Sequence, residues 1–347
     1  MPDAADPASP PTETIPLLTA PPARTNEDLE STSRGGFTLA HTAAFGVLVL
    51  ALVLALALPA LAAPRGKHKT DPQALAAALA APTPPPTASA LALLDAAIAD
   101  GRLADARSLI APMWASGTPD VLLRGAEMAL AGDSLPEAAE AFAGLADGPL
   151  AARAAQGTGI TLLRQGRSAE ARAALEKAVA LDAGLARAWN ALGVIADKTR
   201  DWPAADAAYA KAVAAAPQDG AILANRGWSQ LLRGHHVGAE RDLAAALQLQ
   251  PGLKTARTNL ALARAMQGRY QEAFVLSNKA SLASDLNTVG FAAMSRGDLS
   301  VAEAYFNRAL SLNPQFDRTA WANLQYLAEL KAQKLREPTG SPSPVKP

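Results

Sequence analysis

The side chains with the clearest chemical potential in this chain are carboxamides. Asn225 and Asn259 stand one 34-residue interval apart, and Asn190 and Asn287 fall at nearby positions of their own segments. A carboxamide donates through nitrogen and accepts through oxygen, so a row of them can bond both polar groups of a peptide backbone. Val194 follows Asn190 by four residues, Trp228 follows Asn225 by three, and Leu262 follows Asn259 by three. On a helix each of these shares a face with its amide, and Trp228 adds an aromatic anchor. That is the chemistry of holding a polypeptide, not of making or breaking bonds.

The residue types needed for other chemistry are missing or badly spaced. The chain has no cysteine, which excludes disulfides, thiolate metal sites, a cysteine nucleophile and a cysteine lipid anchor. His235 and His236 are adjacent and cannot share a helix face, and no other histidine or carboxylate stands at ligand spacing from them. Nothing resembles a phosphate loop, a paired-carboxylate site or a nucleophile with its base. The expectation is a non-enzyme with no cofactor, no metal and no catalytic residue. Formal net charge is zero, so no nucleic-acid partner is expected either.

The elements that position the amides are helices. Half of the residues are hydrophobic, many of them alanine, and aromatics are only 5%. Alanine favours helix and adds little volume, so closely packed helices are expected instead of a sandwich or barrel. A period of 34 residues confirms the pattern. Gly159, Gly193 and Gly227 are spaced by it, as are Ala171, Ala205 and Ala239, and Ala178, Ala212 and Ala246. With Trp189, Leu192, Tyr209 and Pro217 at their offsets, the unit resembles the tetratricopeptide repeat, a pair of antiparallel helices.

Each offset has a physical cause. The glycine and first alanine are small where the two helices cross, and proline ends the second helix. Trp189 and Tyr209 are expected to fill the space between units. The recurring "QGR", "RGH", "QGR" and "RGD" supply a glycine at the turn inside each unit.

The expected fold is therefore all-α: a superhelical solenoid of about seven repeats over 87–316, followed by a capping helix at 317–336. Clear units are 152–185, 186–219, 220–253 and 283–316. The unit 254–282 is shortened, 118–151 slips by a residue, and 87–117 shows only "DGRLADARSLI". In the cap, Trp321, Leu324, Leu327 and Leu330 fall near one face. The tetratricopeptide resemblance implies that first helices line a concave surface, making Asn190, Val194, Asn225, Trp228, Asn259, Leu262 and Asn287 the candidate partner-binding residues. The remaining tryptophans, Trp114, Trp189, Trp202 and Trp321, are assigned to helix packing.

The segments outside the solenoid differ in kind. Residues 1–36 hold six acids, two bases and seven prolines and are expected to be disordered. Residues 37–63 read "FTLAHTAAFGVLVLALVLALALPALAA", apolar on every face over a length that can span a bilayer. An uncleaved transmembrane helix is favoured over a signal segment cut near Ala62. The small residues Ala60 and Ala62 suit a peptidase, but the preceding region is long and acidic. Arg65, Lys67 and Lys69 follow the segment and favour a cytoplasmic C-terminal part. Residues 64–86 form a proline-rich linker, and 337–347 a Pro/Ser tail expected to be disordered.

Three stretches carry a narrower resemblance. "RAWNALGVIADKTRDWPAADAAYAKAVAAAPQDGAILANRGWSQLLRG", "NLALARAMQGRYQEA" and "LNTVGFAAMSRGDLSVAEAYFNRALSLNP" are similar to the TadD family of tight-adherence (Flp) pilus assembly, over roughly 150–330. The resemblance implies a non-enzymatic role in assembling an envelope-spanning pilus or secretion machine near its secretin. It places a bacterial protein with its repeats in the periplasm. Family members are typically lipoproteins anchored through cysteine, and here residues 37–63 would have to substitute, at the inner membrane. The alternative is a cytoplasm-facing adaptor docking a regulatory or enzymatic partner at that membrane, or a periplasmic protein released by cleavage.

Overall fold

The computed structural model describes residues 86–312 and 318–336. The expected segments 1–36, 37–63, nearly all of 64–86, and 337–347 lie outside them. Among the described residues no helix is long and apolar enough to cross a membrane. The described residues form helices and turns, with no strand.

The helices come in pairs. The first pair is α1 (Ala88–Ala99) and α2 (Leu103–Ile110), continued by a 3-10 turn at Ala111–Ser116. Next come α3 (Pro119–Ala131) with α4 (Leu135–Ala143), and α5 (Ala151–Arg164) with α6 (Ser168–Leu181). The pairs α7 (Ala186–Lys198) with α8 (Trp202–Ala215) and α9 (Gly220–Leu232) with α10 (His236–Leu249) follow in register with the repeat. Then α11 (Lys254–Met266) is followed by a single turn, α12 (Tyr270–Ala273). The pair α13 (Leu282–Ser295) and α14 (Leu299–Leu312) precedes the long α15 (Arg318–Arg336). First helices pack on first helices of the next pair, so they form one layer and the second helices another.

The 34-residue period is a packing rule made visible. A Cβ built on Gly159 would lie 2.5 Å from Leu175 Cγ and 3.2 Å from the Ala171 carbonyl oxygen. Gly227 meets Leu243 at 2.8 Å and the Ala239 carbonyl at 3.2 Å. Gly290 meets Phe306 at 2.7 Å and the Ala302 carbonyl at 3.3 Å. Gly193 meets the Tyr209 ring at 2.8 Å. In each pair a large side chain of the second helix lies against bare backbone of the first. Leu175, Tyr209, Leu243 and Phe306 are all fully buried. Burial of each contributes about 2–3 kcal/mol. Tyr209 thus fills space within its own pair, not between units as expected. Trp189 is half-buried; its indole nitrogen donates to the Ala183 carbonyl at 2.9 Å, and the Lys211 ammonium lies 4.1 Å from its ring centroid.

Two departures from the period are explained by the same rule. In the slipped unit, Phe142 reaches across to the next pair, and a Cβ on Gly157 would lie 2.2 Å from its Cζ. In the shortened unit, Ala261 stands where the others have the crossing glycine, and Ser277 where they have the large residue. The anchor that would hold a full second helix is absent, and the turn leading to the next pair is cut short. The helix ends at Ala273, and Phe274 folds inward instead, 5.4 Å from Tyr305 between ring centroids.

At the turns inside pairs, Gly166, Gly234, Gly268 and Gly297 have φ between 74° and 86°. That is the left-handed region where glycine meets no Cβ penalty. The pair α7–α8 uses Arg200 there, at φ 56°. In α15 the buried residues are Ala320, Asn323 and Leu327, with Leu324 and Leu330 packed beside them. Trp321, expected on that face, is 47% exposed, because the helix turns its Ala320–Asn323–Leu327 stripe toward the preceding pair.

Substitution at a glycine that receives a large side chain should therefore cost stability that helix propensity does not return. Gly157→Ala is expected to lower urea-unfolding stability by about 1–3 kcal/mol, because the Phe142 ring cannot retreat from a packed core. Gly252→Ala, with nothing within 4 Å of its new methyl, is the control and should change stability by less than about 0.5 kcal/mol.

Candidate protein-binding face

The first helices α3, α5, α7, α9, α11 and α13 make up the layer on which the expected partner-binding residues stand. The four asparagines are deeply buried. Asn190 and Asn225 are each 3% exposed, Asn259 5% and Asn287 8%. Asn225 Nδ2 donates to Asn190 Oδ1 at 3.0 Å, joining α9 to α7. Asn323 Nδ2 donates to Asn287 Oδ1 at 2.9 Å, joining α15 to α13. These amides therefore bond one first helix to the next. Trp228 is buried as well, while Val194 and Leu262 are half-buried and packed against core residues. The arrangement brings Asn190 and Asn225 together but leaves Asn259 and Asn287 in later pairs.

A different group on this layer is chemically open. Arg187, at the start of α7, is half-buried, and its Nε is buried without a hydrogen-bond partner. Burial holds its pKa below the usual arginine range, with Glu127 and Asp219 pulling it back and Arg153 adding to the depression. Arginine stays protonated regardless. Those three neighbours sit on α3, at the N-cap of α9, and on α5. The Arg187 guanidinium therefore feels charges on α3, on α5 and at the N-cap of α9. Glu127 is already taken by Arg153, at 2.9 and 3.1 Å. Asp219 caps α9, accepting from the Ala221 backbone N–H at 2.9 Å. The buried Nε of Arg187 shares its lack of a hydrogen-bond partner with the Nε of Arg124, Arg257 and Arg269; the terminal nitrogens of such a fork are suited to a carboxylate. Arg153 and Arg187 are one 34-residue period apart, and that spacing is the trace they leave in the sequence.

Beside this face runs a polar latch between pairs. Asp197, at the end of α7, is 8% exposed. Its carboxylate accepts from the Tyr209 hydroxyl at 2.8 Å and from the Ser229 hydroxyl at 2.6 Å. The first bond closes its own pair and the second reaches the next. Burial raises the Asp197 pKa, and Ser229, Tyr209 and the charge of Arg233 oppose the rise. Burial also pushes Tyr209 well above the usual tyrosine range. Arg233 continues the latch outward, with both terminal nitrogens on Asp206 at 2.7 and 2.8 Å. At neighbouring junctions, Arg164 donates to the Leu130 carbonyl, and Arg296 to the Met266 carbonyl at 2.8 Å. Both acceptors are carbonyls near helix C-termini, where a cation is favoured. Of the adjacent pair His235–His236, His235 occupies the N-cap position of α10 without a side-chain capping bond and His236 opens the helix. Among the described residues no group of three or more histidines and carboxylates is placed to hold a metal.

Asp197→Ala would leave two buried hydroxyls without an acceptor. It should destabilise the chain by about 2–4 kcal/mol in urea unfolding, against about 1–2 kcal/mol for Tyr209→Phe, which leaves the Ser229 bond in place. The pH dependence has a definite sign. The native pKa of Asp197 is above its ordinary 3.8, so the native state holds the proton longer than the unfolded state. Its contribution is fully present below pH 3.8 and falls as pH rises toward the raised native value. Asp197→Asn should flatten that part of the stability–pH curve.

The comparisons with known proteins fit this geometry. No curated protein matches the chain by sequence. The crystal structure of the APC/C hetero-tetramer Cut9–Hcn1 is similar at 16% identity and a TM-score of 0.55, over 69% of this chain and 49% of that one. The chain thus spans about half the length of that relative. The human IFIT1 dimer with m7Gppp-AAAA is similar at 14% identity and a TM-score of 0.52, over 72% of this chain and 64% of that one. The C-terminal part of a TPR repeat-containing protein from Cytophaga hutchinsonii aligns at 16% identity with a TM-score of 0.42, over 67% and 99% of the two chains. At these identities the first two likenesses speak for the fold alone. The family description "tetratricopeptide repeat" matches residues 123–186, 157–220, 190–254 and 286–316. Those stretches of the chain are tetratricopeptide repeats, a scaffold suited to binding other proteins.

Proposed function

We propose that this protein is a non-catalytic, membrane-tethered scaffold that holds an acidic polypeptide segment on its first-helix layer, in the assembly of a Flp/Tad-type pilus or related secretion system. The observation that carries the binding reading is Arg187, whose buried Nε has no hydrogen-bond partner and whose charge is felt alongside those of α3, α5 and the α9 N-cap. A carboxylate arriving there would gain two charge-assisted hydrogen bonds in a partly desolvated site. Arg187 orients the segment, and the half-buried Val194 and Leu262 offer apolar contact further along the layer. The buried asparagines, in this reading, hold the first helices at the spacing the segment needs.

Pilus or secretin components are the proposed partners, on the strength of the TadD-like sequence between 150 and 330. Residues 37–63 would be the tether at the bacterial inner membrane, and the proline-rich residues that follow would give the repeats reach. Tethering raises local partner concentration, so a weak contact at Arg187 would suffice. Arg65, Lys67 and Lys69 favour a second reading, a cytoplasm-facing adaptor.

Two measurements separate these readings. A phosphatase fused after Pro347 and assayed in intact Gram-negative cells should be active if the repeats face the periplasm. An inactive full-length fusion puts the adaptor reading ahead. Independently, partners recovered on the purified full chain from membranes should include a pilus or secretin component. Its retention should fall about tenfold for Arg187→Glu, one lost charge-assisted contact of roughly 1.4 kcal/mol or more. Retention unchanged by that substitution would remove Arg187 from the binding face.

A further inference from the structure

The second-helix layer is interrupted where α12 stops after one turn. A cavity of about 220 Å³ lies there, lined by Gln271, Phe274, Leu282, Leu286, Tyr305 and Arg308. It is apolar at its base, where Leu286 is buried, and aromatic along its side, where Phe274 and Tyr305 meet. Val275, just beyond, is 70% exposed and Leu276 43%. In the pairs on either side the second helix runs for 14 residues, where this one is a single turn of four.

Among the described residues, the one charged residue lining the cavity is Arg308. Lys279 and Arg308 are exposed, and among the described residues neither has an ion-pair partner. The nearby carboxylates are engaged: Asp285 is buried and accepts from the Ser281 hydroxyl at 2.8 Å, and Glu303 pairs with Lys331 at 2.6 Å. Glu272 pairs with Arg269 at 2.9 Å. A cation at the rim of an apolar slot calls for a carboxylate beside an apolar side chain.

We propose that this cleft docks an amphipathic helix of a partner protein. The helix takes the place of the second helix that the short repeat lacks. It inserts one bulky aliphatic or aromatic side chain over Leu286 and sets an Asp or Glu one turn away against Arg308. The site opens where the second-helix layer is interrupted, away from Arg187 in sequence and in repeat. The chain therefore holds two partner segments at once, at separate repeats.

The test places a photo-crosslinking p-benzoylphenylalanine at Val275 of the full chain, expressed in its membranes. Val237 is the control, 72% exposed on the full-length α10. The expected result is an adduct at Val275 and none at Val237, to a segment that reads as an amphipathic helix with an acid on its apolar border. A synthetic peptide of that segment should bind the purified full chain. Its affinity should fall at least tenfold for Arg308→Glu and recover when the peptide acid is changed to lysine. Arg308 is exposed, so Arg308→Glu should melt like the parent chain, and Arg187→Glu should leave this peptide's affinity unchanged. The proposal is overturned by an adduct only to residues 1–36 of the same chain, by an adduct only to a second copy, or by no adduct. A peptide indifferent to Arg308→Glu overturns it too.

Discussion

The structure depends on one contact repeated along the chain: a large side chain of a second helix pressed against bare backbone of a first helix. Gly159 with Leu175, Gly193 with Tyr209, Gly227 with Leu243 and Gly290 with Phe306 are four versions of it. Each large residue is fully buried. The few kilocalories from that burial exceed the net worth of an Asn–Asn bond between helices, about 1 kcal/mol. Packing therefore sets the helix pairs, and polar groups adjust the spacing between them. Asp197 shows the division of labour, since it ties a pair that Gly193 and Tyr209 have already closed.

Because the contact is local, the fold was largely readable from the sequence. The spacing of Gly, Ala and Pro fell on the observed helix pairs from α5 to α10, and even the short unit could be seen as short. Two details were harder. Tyr209 was assigned between units, because a period alone does not say which neighbour a ring faces. Trp321 was placed on the buried side of α15, although Ala320, Asn323 and Leu327 form that side. A narrow stripe of small and polar residues carries little hydrophobic signal, so the large aromatic misled.

The candidate site was less legible. Asparagines at repeat spacing suit a peptide contact and an inter-helix bond equally well in sequence. Only coordinates show that Asn190 and Asn225 face one another. Arg187 carried the opposite ambiguity. An arginine near a helix start usually finds a carboxylate, and its isolation arises because Glu127 belongs to Arg153 and Asp219 to a helix cap. That kind of fact depends on competition among partners, which no pairwise spacing encodes.

The short repeat has a consequence for how the chain comes apart. In a linear array, cooperativity passes only through interfaces between neighbours. Between α10 and α13 the second-helix layer is reduced to the single turn of α12, so one of the two usual interfaces is thin. The helices α13 to α15 then form a block held by α11, a few aromatic contacts and the polar bonds of Arg296 and Tyr270 across the junction. Amide exchange would follow that seam, with a quicker C-terminal foldon beside a slower one containing α5 to α10.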